Sequence, residues 1–210
     1  NKLIVSSSPH LSGTVKTRNI MLDVIIALIP ALIASVVYFG IRALIVVCVT
    51  VASCVIAEYI CRKVMKRPVT IGDYSAIVTG ILLAFNMPVG IPLWIAAIGG
   101  VVAIVVVKQM FGGVGHNFAN PAITARIILM TSFPVRMTTW VAPYSYITLD
   151  TTSTASPLAL MESGNVAGLP TYMQMFLGER AGCLGETCIL ALIIGGIYLI
   201  IRKVIAPTIP

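Results

Sequence analysis

Apolar residues along this chain come in long, nearly unbroken runs, without the alternation of half-buried strands or the one-sided stripe of surface helices. The first run extends from Met21 to Gly40 and is interrupted only by Asp23. A helix of that length rises about 30 Å, the thickness of a bilayer core. Further runs follow at Ala43–Cys61, Ala76–Met87, Ile91–Val107, Ile123–Val135 and Thr187–Ile201. The pattern predicts an all-α, polytopic membrane protein with about six segments, residues 1–210 forming a single transmembrane domain. A polar stretch, Ser6 to Asn19, precedes the first run, and no small-residue cleavage site follows it. The first run is therefore expected to be a span rather than a signal peptide.

Two of the predicted segments are short. As helices, Ala76–Met87 covers about 18 Å and Pro121–Val135 about 22 Å, neither enough to cross comfortably. The first ends in "FNMPVGIP", where Pro88 and Pro92 deny the backbone its helical hydrogen bonds. The second follows "FGGVGHNFANPA", where Asn120 can cap a helix and Pro121 suits its first position. Interrupted helices at membrane depth are tolerated where they line a buried or wet cavity, and they are also compatible with tight loops between tilted helices. Asn86, Asn117 and Asn120 lie in these breaks and are candidates for a ligand pocket or ion path, because amides hydrogen-bond without the cost of a buried charge.

Composition agrees with the pattern: 58% of the 210 residues are hydrophobic and 10% charged, too few for the exterior of a soluble domain. The net charge of +7 does not point to nucleic acid, since Lys and Arg are not clustered with aromatics on one amphipathic element. They fall instead in alternate loops. Lys2, Lys16 and Arg18 precede the first segment, Arg62, Lys63, Lys66 and Arg67 follow the second, Lys108 the fourth, and Arg202 and Lys203 the sixth. The positive-inside rule then puts the N-terminus in the cytoplasm and the long stretch 137–186 outside.

Within the segments, Glu58 is expected to pair with Arg62 four residues on. Arg126 is expected to snorkel to the nearer, cytoplasmic interface, with the holding of an anionic group as the alternative. Asp23 is placed in the first helical turn, where the dipole favours a carboxylate, with an ion path as the alternative. Cys48, Cys54 and Cys61 read as packed, inert thiols, while Cys183 and Cys188 have a spacing that permits pairing without requiring it. His10 and His116 have no spaced carboxylate or thiol, so a metal site is not expected, and no phosphate-binding or catalytic-triad motif can be assembled.

The stretches "SSSPHL", "TGILLAFNMPVGIP", "FGGVGHNFANPA" and "GERAGCLGETCILALIIGGIYLI" together resemble, in order and spacing, the D subunits of Rnf complexes, which are ion-translocating ferredoxin:NAD oxidoreductases. The pattern is shared with the B subunits of sodium-translocating NADH:quinone reductases. A chain beginning almost directly at "SPH" is expected to lie nearer the Rnf side. The resemblance implies a fold of two inverted halves with about ten spans in all, whereas this chain stops at "RKVIAPTIP", just past the sixth segment, so that either further spans are missing or this member is shorter.

The resemblance also implies FMN, attached through its phosphate to a hydroxyl by a flavin transferase that recognises an extracytoplasmic D-x-x-S-G-A-T segment. In "DTTSTASPLAL", Asp150, Ser153 and Ala155 match at that spacing. Thr154 stands at the glycine position and Ser156 at the acceptor threonine. Serine carries the same nucleophilic oxygen, so Ser156 is the expected acceptor and Thr154 the second choice. The implied partners are the flavin- and iron–sulfur-carrying subunits of a redox complex in a prokaryotic inner membrane, coupling electron flow to Na⁺ or H⁺ export. Two other readings fit broken helices: a solute channel or carrier, and a structural subunit without flavin.

Overall fold

The computed structural model describes residues 17–117, 119–148, 157–162 and 169–206, and every regular element among them is helical. Two long helices, α1 (Thr17–Phe39) and α2 (Ile41–Val64), are long and apolar enough to cross a bilayer. Pro30 sits inside α1. The short helix α3 (Ser75–Phe85) and the helix α4 (Leu93–Val102) pack on α2, and the short helix α5 (Pro121–Ser132) packs against α3 and α4. Between α5 and α10 (Ile189–Ile201), which lies along α1, come four pieces: α6 (Pro134–Thr138), α7 (Ser145–Thr148), α8 (Pro157–Glu162) and α9 (Tyr172–Leu177). All six predicted segments are present, and the third and fifth are short, as the prolines and glycines require. Two features go beyond the apolar pattern. Helix α4 continues as a π-helical stretch, Ala103–Gln109, and the sixth helix is itself only 13 residues long.

Close approach of the helices is set by small residues, as in membrane bundles generally, where hydrocarbon tails supply no hydrophobic drive and backbone proximity must. A Cβ at Gly80 of α3 would lie 2.8 Å from the Val51 backbone of α2. At Gly100 of α4 it would strike Ser53, at Gly195 of α10 the Ala27 carbonyl, and at Gly99 it would come 2.7 Å from Leu129. The core thus formed contains Val46, Leu83, Met87, Ile91, Ile95 and Leu129, each 1% exposed or less.

The turn joining α1 to α2 rests on Gly40, whose φ of +73° lies in the left-handed region. The Tyr146 ring packs on this glycine and its hydroxyl donates to Val37 O at 2.9 Å. Tyr144 N donates to Tyr38 O (2.7 Å), and the Tyr38 hydroxyl donates to Leu177 O (2.8 Å). These contacts fasten parts of the stretch 137–186 to the end of α1 opposite Thr17. Asp150, Ser153, Thr154, Ala155, Ser156 and His10 lie outside the described residues.

Candidate functional site

A helix that stops at membrane depth leaves carbonyls that must find donors. α3 ends at Phe85, and the loop before α10 supplies two of them: Gly185 N donates to Phe85 O (3.0 Å) and Leu184 N to Met87 O (3.1 Å). The approach is close enough that a Cβ on Gly185 would collide with the Phe85 ring. Two more carbonyls of the break, Val89 O and Ile91 O, accept from Arg42 Nε (3.0 Å) and Nη2 (3.4 Å). By sequence Arg42 is only a loop charge. A lone cation in an otherwise uncharged loop is the available signal for this bracing role.

Asn86 caps the same break. Its Nδ2 donates to Leu82 O (2.8 Å), and its Oδ1 accepts from Arg126 Nη1 (2.8 Å). Arg126 Nη2 also reaches Cys183 Sγ at 3.6 Å. The expected snorkelling of Arg126 toward the cytoplasmic interface is thus corrected, because the guanidinium turns toward the ends of α3 and the 183–185 loop, where Asn86 offers a well-placed acceptor. Burial pushes the Cys183 thiol up to about 12, against the opposing pull of the Arg126 charge. Cys183 and Cys188 are both free and buried, so the pairing their spacing permits is not made.

Asn120 caps α5, its Oδ1 accepting from Ala122 N at 3.0 Å, as the sequence indicates. Asn117, with its amide oriented to satisfy both neighbours, donates to Gly113 O (2.9 Å) and Lys108 O (3.2 Å). The three asparagines therefore hold the breaks in shape. Asn86 is joined to Arg126, while Asn117 is tied to the π-helical turn.

That turn carries a second polar cluster. Lys108, 1% exposed, donates to Glu58 Oε2 (2.8 Å) and to Ser75 Oγ (2.6 Å). Glu58 Oε1 accepts from Gln109 Nε2 (3.0 Å) and Thr70 Oγ1 (3.1 Å). Ser75 Oγ in turn donates to Asp73 Oδ1 at 2.6 Å. The expected Glu58–Arg62 pair is replaced by this network. The four-residue spacing does permit Arg62, but both carboxylate oxygens are filled by partners that tertiary packing brings in. Lys108, a loop cation by sequence, is a core residue. The wider π turn presents successive residues, Lys108 and Gln109, to one carboxylate.

Asp23 also departs from expectation. α1 starts at Thr17, so Asp23 lies past the first turn, where the dipole has little hold on it. It is instead gripped by Arg202, with Nε to Oδ1 at 3.1 Å and Nη2 to Oδ2 at 3.2 Å, and it accepts from the Tyr198 hydroxyl at 3.1 Å. This fork locks α10 to α1.

A third feature is a pocket of about 490 Å³ beginning one residue after Ser156. Pro157, Leu158, Met161, Tyr172, Met175 and Arg180 are among its walls. It is an apolar recess with one guanidinium at its edge, a composition usual for sites that take a flat organic ring. Arg180 is steadied by donating to Glu186 O at 2.9 Å.

Helices broken at depth, small-residue packing and charges paired inside the bundle define a polytopic helical membrane protein, in which short helices abut a pair of full-length ones. Comparison with known proteins makes the class specific: residues 4–210 match the model of the NQR2, RnfD, RnfE family, and the chain belongs to that family. It is 47% identical, over 99% of its length, to the D subunit of the Na⁺-translocating ferredoxin:NAD⁺ oxidoreductase complex of Acetobacterium woodii. It is 40% identical over its full length to the D subunit of the proton-translocating ferredoxin:NAD⁺ oxidoreductase complex of Clostridium ljungdahlii. The D subunit of the ion-translocating oxidoreductase complex of Rhodobacter capsulatus is 35% identical over 97% of the chain. The chain spans 65%, 66% and 65% of the lengths of these three relatives, respectively.

Proposed function

We propose that this chain serves as a membrane subunit of an ion-motive redox complex, holding FMN on Ser156 and passing electrons between neighbouring centres on the route from ferredoxin to NAD. The carrying observation is the 47% identity, over almost the whole chain, to the D subunit of such a complex. The segment from Asp150 to Ser156 adds the local chemistry. In attachment, the Ser156 hydroxyl oxygen forms a bond to the FMN phosphorus of FAD as the phosphoanhydride bond breaks; AMP leaves, and the hydroxyl proton passes to a base of the transferase. Asp150, Ser153 and Ala155 provide what the transferase recognises.

The described residues next to that segment fit the group. The recess lined by Leu158, Met161, Tyr172 and Met175 offers an apolar bed for a flat ring, and Arg180 offers a cation at its edge. When bound, flavin supplies the electron chemistry, while the protein sets position, distance and polarity. Lys and Arg concentrate beside Thr17, Val64 and Ile201, which favours a cytoplasmic N-terminus and an extracytoplasmic Ser156. The tyrosine contacts that hold stretch 137–186 to the far end of α1 agree with that orientation. The exported cation is Na⁺ or H⁺; the names of the relatives include both.

The test is a denaturing gel of the full-length protein coexpressed with an active flavin transferase, viewed under ultraviolet light, with the fluorescent peptide mapped by mass. Fluorescence that survives denaturation, adds the mass of FMN to the peptide containing Ser156 and vanishes in Ser156→Ala supports the reading. A colourless wild-type protein overturns it. Fluorescence that remains in Ser156→Ala and vanishes in Thr154→Ala moves the acceptor by two residues.

A further inference from the structure

Arg62 is left over. Its partner by sequence spacing, Glu58, has both oxygens occupied by Lys108, Gln109 and Thr70. Arg62 is nevertheless 8% exposed, and its Nε is shielded from solvent with no hydrogen-bond partner. Among the described residues its side chain has no acceptor. A buried guanidinium without a counter-charge is costly enough that an unoccupied site is the exception in folded proteins.

The guanidinium is also aimed. It lies against the turn 111–116, where a Cβ on Gly113 would come within 2.7 Å of Arg62 Nη2. Gly112, Gly113 and Gly115 hold φ values of +112°, +101° and +85°, so three left-handed glycines shape this turn. Gly112 N is spent on Gln109 O and Gly113 N on Lys108 O, so the turn serves by letting the backbone come close to the Arg62 guanidinium and not as a set of anion donors. The turn is fixed from below, with Gly113 N donating to Lys108 O at 2.9 Å and Asn117 holding Gly113 O. Lys63, Lys66 and Arg67 follow Arg62 in the chain, are exposed, and add positive charge to this end of the bundle.

We infer that Arg62 and the glycine turn 112–115 form a binding site for a phosphate-type oxyanion at the basic end of the bundle. A tetrahedral oxyanion can accept from the planar fork of Arg62 while keeping its other oxygens toward the exposed cations. The phosphate of an anionic lipid headgroup and a soluble phosphate share this chemistry. The site is independent of the flavin reading: it lies at the opposite end of the bundle from the tyrosine-fastened stretch and involves none of its residues.

The full-length protein is purified in nonionic detergent without phosphate, and its thermal unfolding is followed by tryptophan fluorescence. Inorganic phosphate is titrated against chloride at constant ionic strength. In a parallel arm the protein is placed in nanodiscs of phosphatidylcholine, with or without phosphatidylglycerol. A saturable rise in Tm with phosphate identifies a soluble oxyanion, and a rise confined to phosphatidylglycerol identifies a lipid headgroup. In either case Arg62→Gln is expected to weaken the half-saturating concentration about tenfold or more. Gly113→Ala, which keeps every charge, is expected to lose the response as well. No rise for the wild type in either arm overturns the site, as does an equal rise in Arg62→Gln. Should Gly113→Ala respond like the wild type, the glycine turn is not part of the site and the inference fails.

Discussion

A buried cation, Lys108, and a half-buried one, Arg126, serve this bundle in opposite ways. At the π-helical turn, Lys108 meets a full carboxylate, Glu58, whose remaining oxygen is also filled. At the broken end of α3, the acceptors Arg126 meets among the described residues are neutral, the amide oxygen of Asn86 and the sulfur of Cys183. The first arrangement cancels charge and holds α2, α3 and α4 together. The second leaves a net positive charge beside two interrupted helices and the 183–185 loop. One is an anchor; the other keeps a positive field at a place where the backbone has been opened. Removing a partner should therefore cost much more at the first site than at the second.

The largest effect is expected for Lys108→Met, which strands Glu58 in the core and should destabilise the protein by about 3–5 kcal/mol. The double variant Glu58→Gln, Lys108→Met should recover most of that loss, because no uncompensated charge then remains. Thermal unfolding of the four proteins of the cycle measures the coupling. Equal and additive losses would remove the contrast drawn between the two cations. A smaller effect, about 1–3 kcal/mol, is expected for Arg126→Met, since what it leaves behind is an amide oxygen without its donor rather than a naked carboxylate. A loss as large as that of Lys108→Met would mean that Arg126 answers a full negative charge.

The same contrast separates what is legible in the sequence from what is hidden. Apolar runs and proline breaks are local, so all six helical segments, the short α3 and α5, and the Asn120 cap can be read from neighbouring residues. The partners of Glu58 cannot: Lys108 and Gln109 are 50 and 51 residues away, and only packing decides between them and the adjacent Arg62. The π-helical stretch is equally hidden, because "AIVVVKQ" has no residue that distinguishes a π turn from an α turn. Asp23 is displaced from its expected place by a helix start set in polar residues before the apolar run. Arg202, which holds it, lies 179 residues on. The attachment segment is legible in a third way, through resemblance, and its chemistry depends on an accessible hydroxyl more than on packing.

The smallest effect sharpens the description of the Arg126 end. With its thiol pushed up to about 12, Cys183 stays protonated at pH 8. Thiolate is the species that alkylates, so N-ethylmaleimide should leave Cys183 unmodified in the native protein and modify it after denaturation, as peptide mass readily shows. The linkage has a definite sign. The folded thiol titrates above its ordinary value of about 8.5, so its contribution to stability is complete below that pH and is lost as pH rises toward 12. Labelling should accordingly appear only in strongly alkaline buffer. The Arg126 charge favours thiolate, so in Arg126→Met the pH of half-labelling should rise rather than fall. A fall would show that Arg126 matters here by shielding the sulfur from reagent, and the positive field assigned to this end of the bundle would lose its support.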